Sequence, residues 1–582
     1  MQKRRGELAP FIRLLLRHWK WMALGTLLGL LTIIASVGLL SLAGWFISAT
    51  AAAGLTVATA YLFNFFYPSI GVRLFAIIRT AGRYSERIVC HDTTFRILEN
   101  LRTWFYRHLE PLAPSCLMQY RSGDILSRIV ADIDVLDNLY VRVMSPSVVA
   151  LLLWITLLLF LWVFDPIIAG SAFVFLLAAG FMVPALAVRV SSKPGRQLPL
   201  RTADLRVRIV EGLQGLAELL VFGAHHRHLE NVEESNRALL KSQLQMSHIR
   251  GISTALITLL SGLAVLTVLY FGVDLVSRGA LDGANLALVG LAVLASFEAI
   301  LPLPLAYQYL GQTREAGHRL LEIVNTEPAV RFPEKSNTQP MMFNLRFDKV
   351  SFRYDDKEPL AVREVDIHVP HGQRLAVIGE TGAGKSTLVH LLVRFWNPTN
   401  GRILVGDNDI RTLSESDLRR HIAVVSQQPH MFNASLRENL LLARPEASEE
   451  DLRQALDSAR LINFVDSLPD GLDTWIGEAG KLLSAGQARR LAVARAILRD
   501  APIWVLDEPT EGLDRITEQQ VMKSLYDLTA GRTVLLITHR LVDLHRMDNI
   551  LMLERGRIIE QGSHEALLKG NTRYAALQAS IL

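Results

Sequence analysis

The feature that most limits the fold of this chain is a long stretch without a charged side chain. Between residues 21 and 72 the sequence contains no Asp, Glu, Lys, Arg or His. About 20 apolar residues are enough for a helix to cross a bilayer, so this stretch has room for two crossings joined by a tight turn. It is also far longer than the apolar region of a cleaved signal peptide. The stretch therefore predicts a membrane hairpin.

Four further stretches of the first half are uncharged or nearly so. They cover residues 143–164, 166–188, 251–273 and 284–309, and only the last contains an acid, Glu298. Together with the hairpin they predict six transmembrane helices. This membrane half accounts for a chain that is 50% hydrophobic and only 20% charged, compared with about 25% charged residues in soluble domains.

The basic residues that flank these stretches predict the orientation of the membrane half. They concentrate in residues 2–6, 79–142 and 189–250 and in the chain after Arg314. Short flanks rich in Lys and Arg stay in the cytoplasm, so we expect the N-terminus and the second half of the chain there. Cys90 and Cys116, the two cysteines, fall in these cytoplasmic segments and are expected to be reduced thiols. The net charge of +5 is too small to indicate nucleic-acid binding.

The composition changes after Arg319, where a soluble domain is expected to follow. We predict a transmembrane domain over residues 1–325, a linker rich in Pro, Ser and Asn over 326–341, and a second domain over 342–582. Strand-like runs such as RLAVIG, IWVLD and TVLLITH alternate with helical patterns in this domain. That alternation indicates a mainly parallel α/β sheet.

A glycine-rich loop in the second domain fits the pattern GxxxxGK[ST]. It follows the strand RLAVIG and opens a helix, which is the context that a phosphate-binding P-loop requires. Glycines let backbone N–H groups surround the phosphates, Lys385 is expected to reach the β and γ phosphates, and Ser386 to ligate Mg²⁺. The predicted ATP-binding residues of this loop are Gly379, Glu380, Thr381, Gly382, Ala383, Gly384, Lys385, Ser386 and Thr387.

A second apolar strand, IWVLD, ends in two acids. Asp507 is suited to hold the Mg²⁺ shell, and Glu508 to polarise the attacking water as the catalytic base. A pair of acids at the end of an apolar strand could also be ordinary acidic residues on the protein surface. The P-loop upstream favours the catalytic interpretation.

The sequence between these motifs resembles the signature of ATP-binding cassette (ABC) proteins. Leu483, Ser484, Ala485, Gly486 and Gln487 are similar to LSGGQ, with alanine at the first of its two glycine positions. The resemblance implies four further roles: Tyr354 stacks on adenine, Gln427 is the Q-loop residue and a Mg²⁺ ligand, Asp514 is the D-loop acid, and His539 is the catalytic switch histidine. Six spans followed by one cassette are typical of ABC exporter half-transporters, whereas most importers carry the cassette as a separate chain.

In this family the signature binds the γ-phosphate held by another cassette, so one chain has half of each ATP site. Two departures from the family pattern concern this arrangement: Ala485 in the signature, and Glu511-Gly512 where many members have Ser-Ala. Both would suit an asymmetric pair of ATP sites in a heterodimer.

The membrane half narrows the resemblance further. The segments LLSLAGWFISATAAAG, RTAGRYSERIVCHDTTFRIL and YRSGDILSRIVADIDVLDNLYVRVMSP resemble the CydC-type subunits of bacterial CydDC exporters. This resemblance implies a CydD-like half-transporter as partner, export of cysteine and glutathione across the inner membrane, a part in cytochrome bd assembly, and an association with haem b. Whether haem is cargo or regulator stays open.

Arg79, Arg83, Arg87 and His91 recur every four residues and therefore lie on one face of a helix. They could be a cytoplasmic flank that contacts lipid headgroups or pairs with Glu86 and Asp92. They could also line a cavity in which arginines bind the carboxylates of glutathione or haem and His91 ligates haem iron. Glu298, an acid inside a predicted span, is a second candidate for this haem or anion cavity.

The sequence thus predicts a polytopic α-helical membrane domain of the ABC exporter type fused to a P-loop α/β ATP-binding cassette. The expected activity is ATP hydrolysis with Mg²⁺, coupled to export. Three alternatives remain: a haem transporter or haem-regulated exporter, a non-hydrolysing regulatory subunit, and an ATPase acting on DNA. The second is disfavoured by four intact residues, Lys385, Asp507, Glu508 and His539, and the third by the membrane spans.

Overall fold

The computed structural model describes residues 8–120, 122–336, 338–477, 480–541, 543–570 and 572–579. The basic residues predicted at positions 2–6 lie outside these ranges. The chain forms two compact units. The first contains Met1–Glu110 and Tyr120–Thr326, and the second contains Pro111–Gln119 and Glu327–Leu582.

The first unit is built of helices. Three π-helical segments, Arg128–Asp132, Leu139–Met144 and Ala178–Met182, continue some of them into longer stretches, and a 3-10 turn, Phe297–Ala299, lies before the last helix. The α-helices are α1 (Ala9–Leu16), α2 (Trp19–Ala53), α3 (Val57–Leu62), α4 (Phe66–Leu109), α5 (Ser122–Ser127), α6 (Ile133–Asn138), α7 (Ser145–Trp162), α8 (Pro166–Leu177), α9 (Val183–Gln214), α10 (Leu216–Val221), α11 (His225–Ser277), α12 (Gly283–Ser296) and α13 (Leu303–Val324).

Within the described residues, five helical stretches are long and apolar enough to cross a membrane. A sixth long helix, α4, has 44 residues but carries arginines along its length. The five stretches are Trp19–Ala53, Gly123–Trp162, Pro166–Gln214, His225–Ser277 and Gly283–Val324.

The prediction of two crossings inside residues 21–72 is wrong. Helix α2 alone takes 35 residues, and the short helix α3 follows before α4 begins at Phe66. The uncharged stretch therefore covers one crossing, a connection and only the first turns of the next helix. Hydropathy records where charges are absent but not where a helix ends. Several charged side chains of the second long helix, α4, line a cavity.

Small residues allow helix α2 to lie close to its neighbours, α4 and α12. A Cβ atom added at Gly25 would lie 2.9 Å from Cys90 Sγ on α4, and one at Gly44 would lie 2.1 Å from Leu291 Cδ1 on α12. Without a strong hydrophobic force between helices in lipid, such close contact supplies the packing energy. Larger side chains at these positions would separate the helices.

The second unit contains two sheets. The strands are β1 (Leu345–Phe352), β2 (Val362–Val369), β3 (Arg374–Ile378), β4 (Asn400–Val405), β5 (Asn408–Asp409), β6 (Ile422–Val425), β7 (Ile503–Asp507), β8 (Thr533–Ile537), β9 (Asn549–Glu554) and β10 (Arg557–Gly562). The first sheet is antiparallel with the order β2-β1-β4-β5, and the second has the order β10-β9-β3-β8-β7-β6. All pairs of the second sheet are parallel except β9 with β10.

Helices cover the parallel sheet. They are α14 (Lys385–Leu392), α15 (Glu415–His421), α16 (Leu436–Leu441), α17 (Glu449–Ser458), α18 (Ile462–Asp466), α19 (Ala485–Arg499), α20 (Arg515–Leu528), α21 (His564–Lys569) and α22 (Arg573–Ala579). Every residue of β7 and β8 is buried, as expected for parallel strands with both faces covered.

The carboxyl ends of the parallel strands place the predicted catalytic groups at one edge of the sheet. The P-loop follows β3, Gln427 follows β6, Asp507 ends β7 and His539 follows β8. Ligands of α/β sheets bind at this edge, since the loops there converge.

Candidate functional site

The P-loop has a backbone that only glycine can adopt at two of its positions. Gly379 has φ +155° and Gly384 has φ +104°. A Cβ at Gly379 would lie 2.3 Å from the Leu553 carbonyl oxygen, and one at Gly384 would lie 2.5 Å from that of Ala361. Gly384 is also the N-cap of helix α14. The loop thus leads backbone N–H groups to a helix N-terminus, which is a favourable place for phosphate.

Lys385 lies over this loop. Its ammonium group donates hydrogen bonds to the carbonyl oxygens of Gly379, at 2.7 Å, and Glu380, at 2.9 Å. The side chain is buried. Burial lowers the pKa of Lys385, while the carboxylates of Glu508 and Asp507 oppose that change. The lysine therefore faces both acids as well as the loop.

Asp507 is a buried acid. Burial, with the nearby carboxylates of Glu508 and Glu511, raises the pKa of Asp507 to about 6, although a hydrogen bond from Ser386 and the charge of Lys385 act in the opposite direction. A hydroxyl beside a buried carboxylate is a suitable pair of oxygen ligands for Mg²⁺. The donor set thus fits the predicted cation.

Glu508 is held from two sides. Gln427 Nε2 donates to one carboxylate oxygen at 3.0 Å, and His539 Nδ1 lies 2.9 Å from the other. Burial raises the Glu508 pKa, but the contacts with His539, Glu511 and Lys385 together outweigh it, so the pKa is lowered overall. Glu508 has φ +48°, and its N–H donates to the Ile537 carbonyl at 2.9 Å. Such a left-handed position is strained for a non-glycine residue and is typical of functional sites.

Tyr354, the predicted adenine-stacking residue, is fixed by its hydroxyl. That oxygen lies 3.0 Å from Thr387 Oγ1 and 3.3 Å from His390 Nδ1, both on helix α14. The Tyr354 ring packs edge-on against the Trp396 ring, with 5.2 Å between the ring centroids. The structure thus connects Tyr354 to the P-loop helix.

The signature residues begin helix α19. Ser484 is its N-cap: the Gln487 N–H donates to Ser484 Oγ at 3.2 Å, and the Ser484 N–H donates to Gln487 Oε1 at 2.7 Å. Ser484 and Ala485 are exposed. In the part of the chain that the structure describes, no hydrogen bond or ion pair joins residues 483–487 to the P-loop. The remaining predicted residue, Asp514, caps helix α20 by accepting from Ile516 and Thr517 N–H groups.

The membrane unit contains two neighbouring cavities on helix α4. One, of about 480 Å³, is lined by Arg79, Arg83 and Arg87. The other, of about 410 Å³, is lined by Arg79 and Glu298, among other residues. Arg83 and Glu298 form an ion pair at 3.0 Å. The structure thus brings the three arginines of the stripe together with Glu298.

His91 is not among the residues that line these two cavities. Its exposed ring stacks near Phe95 with 5.9 Å between centroids. Asp92, expected as a possible partner of the stripe, instead pairs with Arg96 at 2.7 Å. The structure therefore does not place the His91 imidazole in the cavities that the arginines line, and it does not bring the predicted haem donors together there.

Sequence reasoning missed His390 and Ser36, and it gave Thr387 a role in ATP binding but not the contact with Tyr354. Thr387 and His390 hold Tyr354, and Ser36 lines the cavity with Arg79 and Glu298. The Ser36 hydroxyl is buried without a hydrogen-bond partner. The sequence gives little indication of these contacts, because most of them join distant parts of the chain. Only the spacing of Thr387 and His390 along one helix face was available in advance.

Comparison with protein families gives two matches. The family described as ABC transporter matches residues 362–511, and the ABC transporter transmembrane region matches residues 21–297. The two matches follow each other without overlap. They cover the first five predicted spans and the segment from β2 to Glu511.

Several similar proteins match over nearly the whole chain. The Escherichia coli (strain K12) protein described as glutathione/L-cysteine transport system ATP-binding/permease protein CydC is 41% identical, over 97% of this chain and 98% of its own. The Haemophilus influenzae protein of the same description is 36% identical, over 96% and 97%. The Bacillus subtilis protein described as CydD of such a system is 30% identical, over 99% and 98%.

A solved structure shows the same fold. It is that of a bacterial Atm1-family ABC exporter with ATP bound, and it superimposes with a TM-score of 0.85 over 97% of this chain and 98% of the other. The sequences are only 24% identical. The prediction of an ABC exporter membrane domain fused to a P-loop cassette is therefore confirmed.

Proposed function

Because this chain belongs to the ABC transporter family, as a multi-pass membrane protein with its own ATPase cassette, we propose that it is one subunit of a heterodimeric exporter. In this proposal the complex lies in a bacterial inner membrane, with the cassette in the cytoplasm, and moves cysteine or glutathione to the periplasm. The partner is a CydD-like half-transporter. Export of the thiol supports cytochrome bd assembly. The similarity to the Escherichia coli CydC protein, 41% over nearly the whole chain, carries the proposal.

The cassette residues take the following roles. The P-loop N–H groups and Lys385 bind the β and γ phosphates, and Tyr354 packs against adenine. Ser386, Asp507 and Gln427 hold Mg²⁺, which neutralises phosphate charge when bound. Glu508 polarises the attacking water. The position of Glu508 between Gln427 and His539 supports this role, since both neighbours fix its carboxylate.

The signature completes the partner's ATP site. Ser484 and the first N–H groups of helix α19 are exposed at a helix start, where a γ-phosphate held by a second cassette can bind. ATP then joins the two cassettes, and hydrolysis separates them.

The membrane cavity is proposed as the cargo site. Among the described residues Arg79 has no hydrogen bond or ion pair, whereas Arg83 is paired with Glu298. Arg79 is therefore the guanidinium of the 410 Å³ cavity that is available for a cargo carboxylate. Glu298 and the unpartnered Ser36 hydroxyl lie in the same cavity and can accept from, or donate to, the rest of a small polar molecule.

Uptake into inverted vesicles tests the cargo. Vesicles containing the purified heterodimer should accumulate labelled cysteine or glutathione when ATP and Mg²⁺ are present. Arg79→Gln should raise the cargo KM about tenfold and leave the ATP KM unchanged. Vesicles that accumulate neither thiol would contradict the proposed cargo, and equal cargo KM values would contradict the proposed cavity.

A haem-linked function is the second candidate, supported by the combination of Arg83, Arg87 and His91 on one helix face. His91→Ala should remove or shift the haem absorption band of the purified complex, and Arg83→Ala and Arg87→Ala should weaken haem binding. His248→Ala, which replaces an exposed histidine on helix α11, is the control. An unchanged spectrum and affinity in all three test variants would refute a haem site here.

A further inference from the structure

One arginine joins the signature helix to the catalytic loops of its own chain. Arg489 lies in the first turns of helix α19, and its side chain is only 12% exposed. One terminal nitrogen, Nη2, donates to the backbone carbonyl of Gln427. The other, Nη1, donates to the backbone carbonyl of Glu511 and lies 3.4 Å from the Glu511 carboxylate. A single side chain of helix α19 therefore contacts two segments, one at Gln427 and one at Glu511.

Both acceptors belong to segments that hold Glu508. The Gln427 side chain donates directly to the Glu508 carboxylate. Glu511 lies three residues after Glu508 in a turn in which the Glu511 N–H donates to the Glu508 carbonyl at 3.3 Å. Gly512, at φ +79°, then redirects the chain. Movement of Arg489 would thus act on Glu508 from two directions.

A second contact joins the same two elements. A Cβ added at Gly486 would lie 2.9 Å from Leu513 Cδ2, so the start of helix α19 packs directly on the segment after Glu511. Ser484, at the same helix start, faces solvent. The helix therefore has one end exposed to a partner and one face fixed to its own catalytic loops.

The chemistry of Arg489 indicates a role other than stability. Glu511 adds a third carboxylate beside Asp507 and Glu508, and Arg489 supplies the cation paired with it. The Arg489 Nε is buried without a hydrogen-bond partner. An unsatisfied buried donor is unfavourable and uncommon, so its retention here calls for an explanation.

We propose that Arg489 and Glu511 form a positioning pair that couples the two ATP sites of the dimer. A γ-phosphate bound at Ser484 fixes the start of helix α19, and Arg489 transmits that position to Gln427 and to the turn that carries Glu508. The site that Glu508 serves then hydrolyses ATP efficiently only when the other site is occupied. This inference rests on the proposed dimer.

A double-mutant cycle on the whole complex tests the coupling. The partner's catalytic glutamate is replaced by glutamine, so that only the Glu508 site hydrolyses ATP. In this background Arg489→Ala should lower kcat about tenfold and change the ATP KM less than twofold, because it disturbs positioning and not binding. Ser484→Ala should also lower kcat. The variant with both Ser484→Ala and Arg489→Ala should have a kcat no lower than that of Arg489→Ala alone, since the effect of Ser484→Ala passes through Arg489.

Three further variants complete the experiment. Arg499→Ala removes an arginine from the end of the same helix, where it donates to the Arg419 carbonyl at 3.0 Å, and should leave kcat unchanged. Glu511→Gln keeps the backbone carbonyl and should lower kcat about threefold. Arg489→Lys replaces Arg489→Ala in the cycle if the alanine variant does not assemble. Wild-type kcat in all Arg489 and Glu511 variants, or effects of Ser484 and Arg489 that multiply, would overturn the proposal. Vesicle uptake of thiols is measured separately, so the proposed cargo and this coupling can fail independently.

Discussion

The carboxylate of Glu508 has both oxygens engaged, one by Gln427 and one by His539. Gln427 is also proposed as a ligand of Mg²⁺. Nucleotide binding must therefore exchange these contacts before Glu508 can accept a proton from water. At the scale of single residues, the chemistry therefore depends on the hydrogen bonds that Glu508 makes with Gln427, His539 and the attacking water, and not on any one side chain.

Glu508→Gln should retain ATP binding and nearly abolish hydrolysis at this site, because the amide keeps the size of the side chain but cannot act as a base. A loss of about 10²-fold or more in kcat is expected from the usual contribution of general base catalysis. The measurement is ATPase activity with the partner's glutamate also replaced, or site-resolved trapping of nucleotide. Hydrolysis at the wild-type rate would exclude Glu508 as the base.

Asp507 should make Mg²⁺-ATP binding depend on pH. Its pKa is raised by burial to about 6, and a cation ligand must be ionised. Below pH 6 binding therefore has to release a proton, and affinity should fall with decreasing pH, by up to about tenfold per pH unit. Above pH 7 affinity should level off. Titration calorimetry in buffers of different ionisation enthalpy measures this proton release. Release of less than about 0.2 proton at pH 6 would contradict the assignment.

At the scale of single elements, capping boxes stabilise the first turns of helices. Helices α17 and α19 both begin with a serine whose hydroxyl and N–H are paired with the residue three positions later, at Ser448 and Ser484. The two boxes have the same geometry, but the Ser484 box also starts the signature helix. Replacing the serine of each box in turn separates the effect of a lost cap on stability from the effect of Ser484 on ATP hydrolysis.

Ser484→Ala and Ser448→Ala should therefore differ in activity and not in stability. Each loses a cap worth about 1 kcal/mol, so both should lower the melting temperature of the purified complex slightly. Only Ser484→Ala should reduce hydrolysis at the partner's ATP site, about tenfold. Equal ATPase activity of the two variants would mean that Ser484 is only a cap.

The elements also show what could be known in advance. Strands β3, β7 and β8 were predictable because their sequences RLAVI, IWVLD and TVLLI each have at least four consecutive apolar residues, and motif residues lie at the end of each one. Helix α4 was not, because its charges are explained by a cavity formed with Glu298 from a distant helix. In the same way the spacing of the arginines was visible, but the unpartnered hydroxyl of Ser36 depends on tertiary packing. Contacts between distant residues leave no local pattern.

At the scale of the whole molecule, the separation of P-loop and signature makes assembly part of the function. Ser484 is exposed and has no hydrogen bond to the P-loop of its own chain within the described residues, so in the proposed dimer each chain would contribute half of each ATP site. The departures Ala485 and Glu511-Gly512 make the two sites unequal if the partner carries other residues there.

Mass measurement of the detergent-purified complex from native membranes should therefore show a heterodimer with two nucleotides bound at saturating ATP. This chain alone should hydrolyse ATP at a small fraction of the rate of the complex. A complex of two identical chains with full activity would refute the heterodimer.

The 53 residues of helix α11 give it a length of about 80 Å at 1.5 Å per residue, well beyond the roughly 30 Å of hydrocarbon that it has to cross. A rod of this length acts as a lever. Tilting it by about 10° around its middle moves each tip by about 7 Å, estimated from the same rise per residue. A tilt of about 10° is therefore amplified into a displacement as large as a small molecule, estimated from the same rise per residue. No hinge or unfolding step within the helix is needed for that displacement.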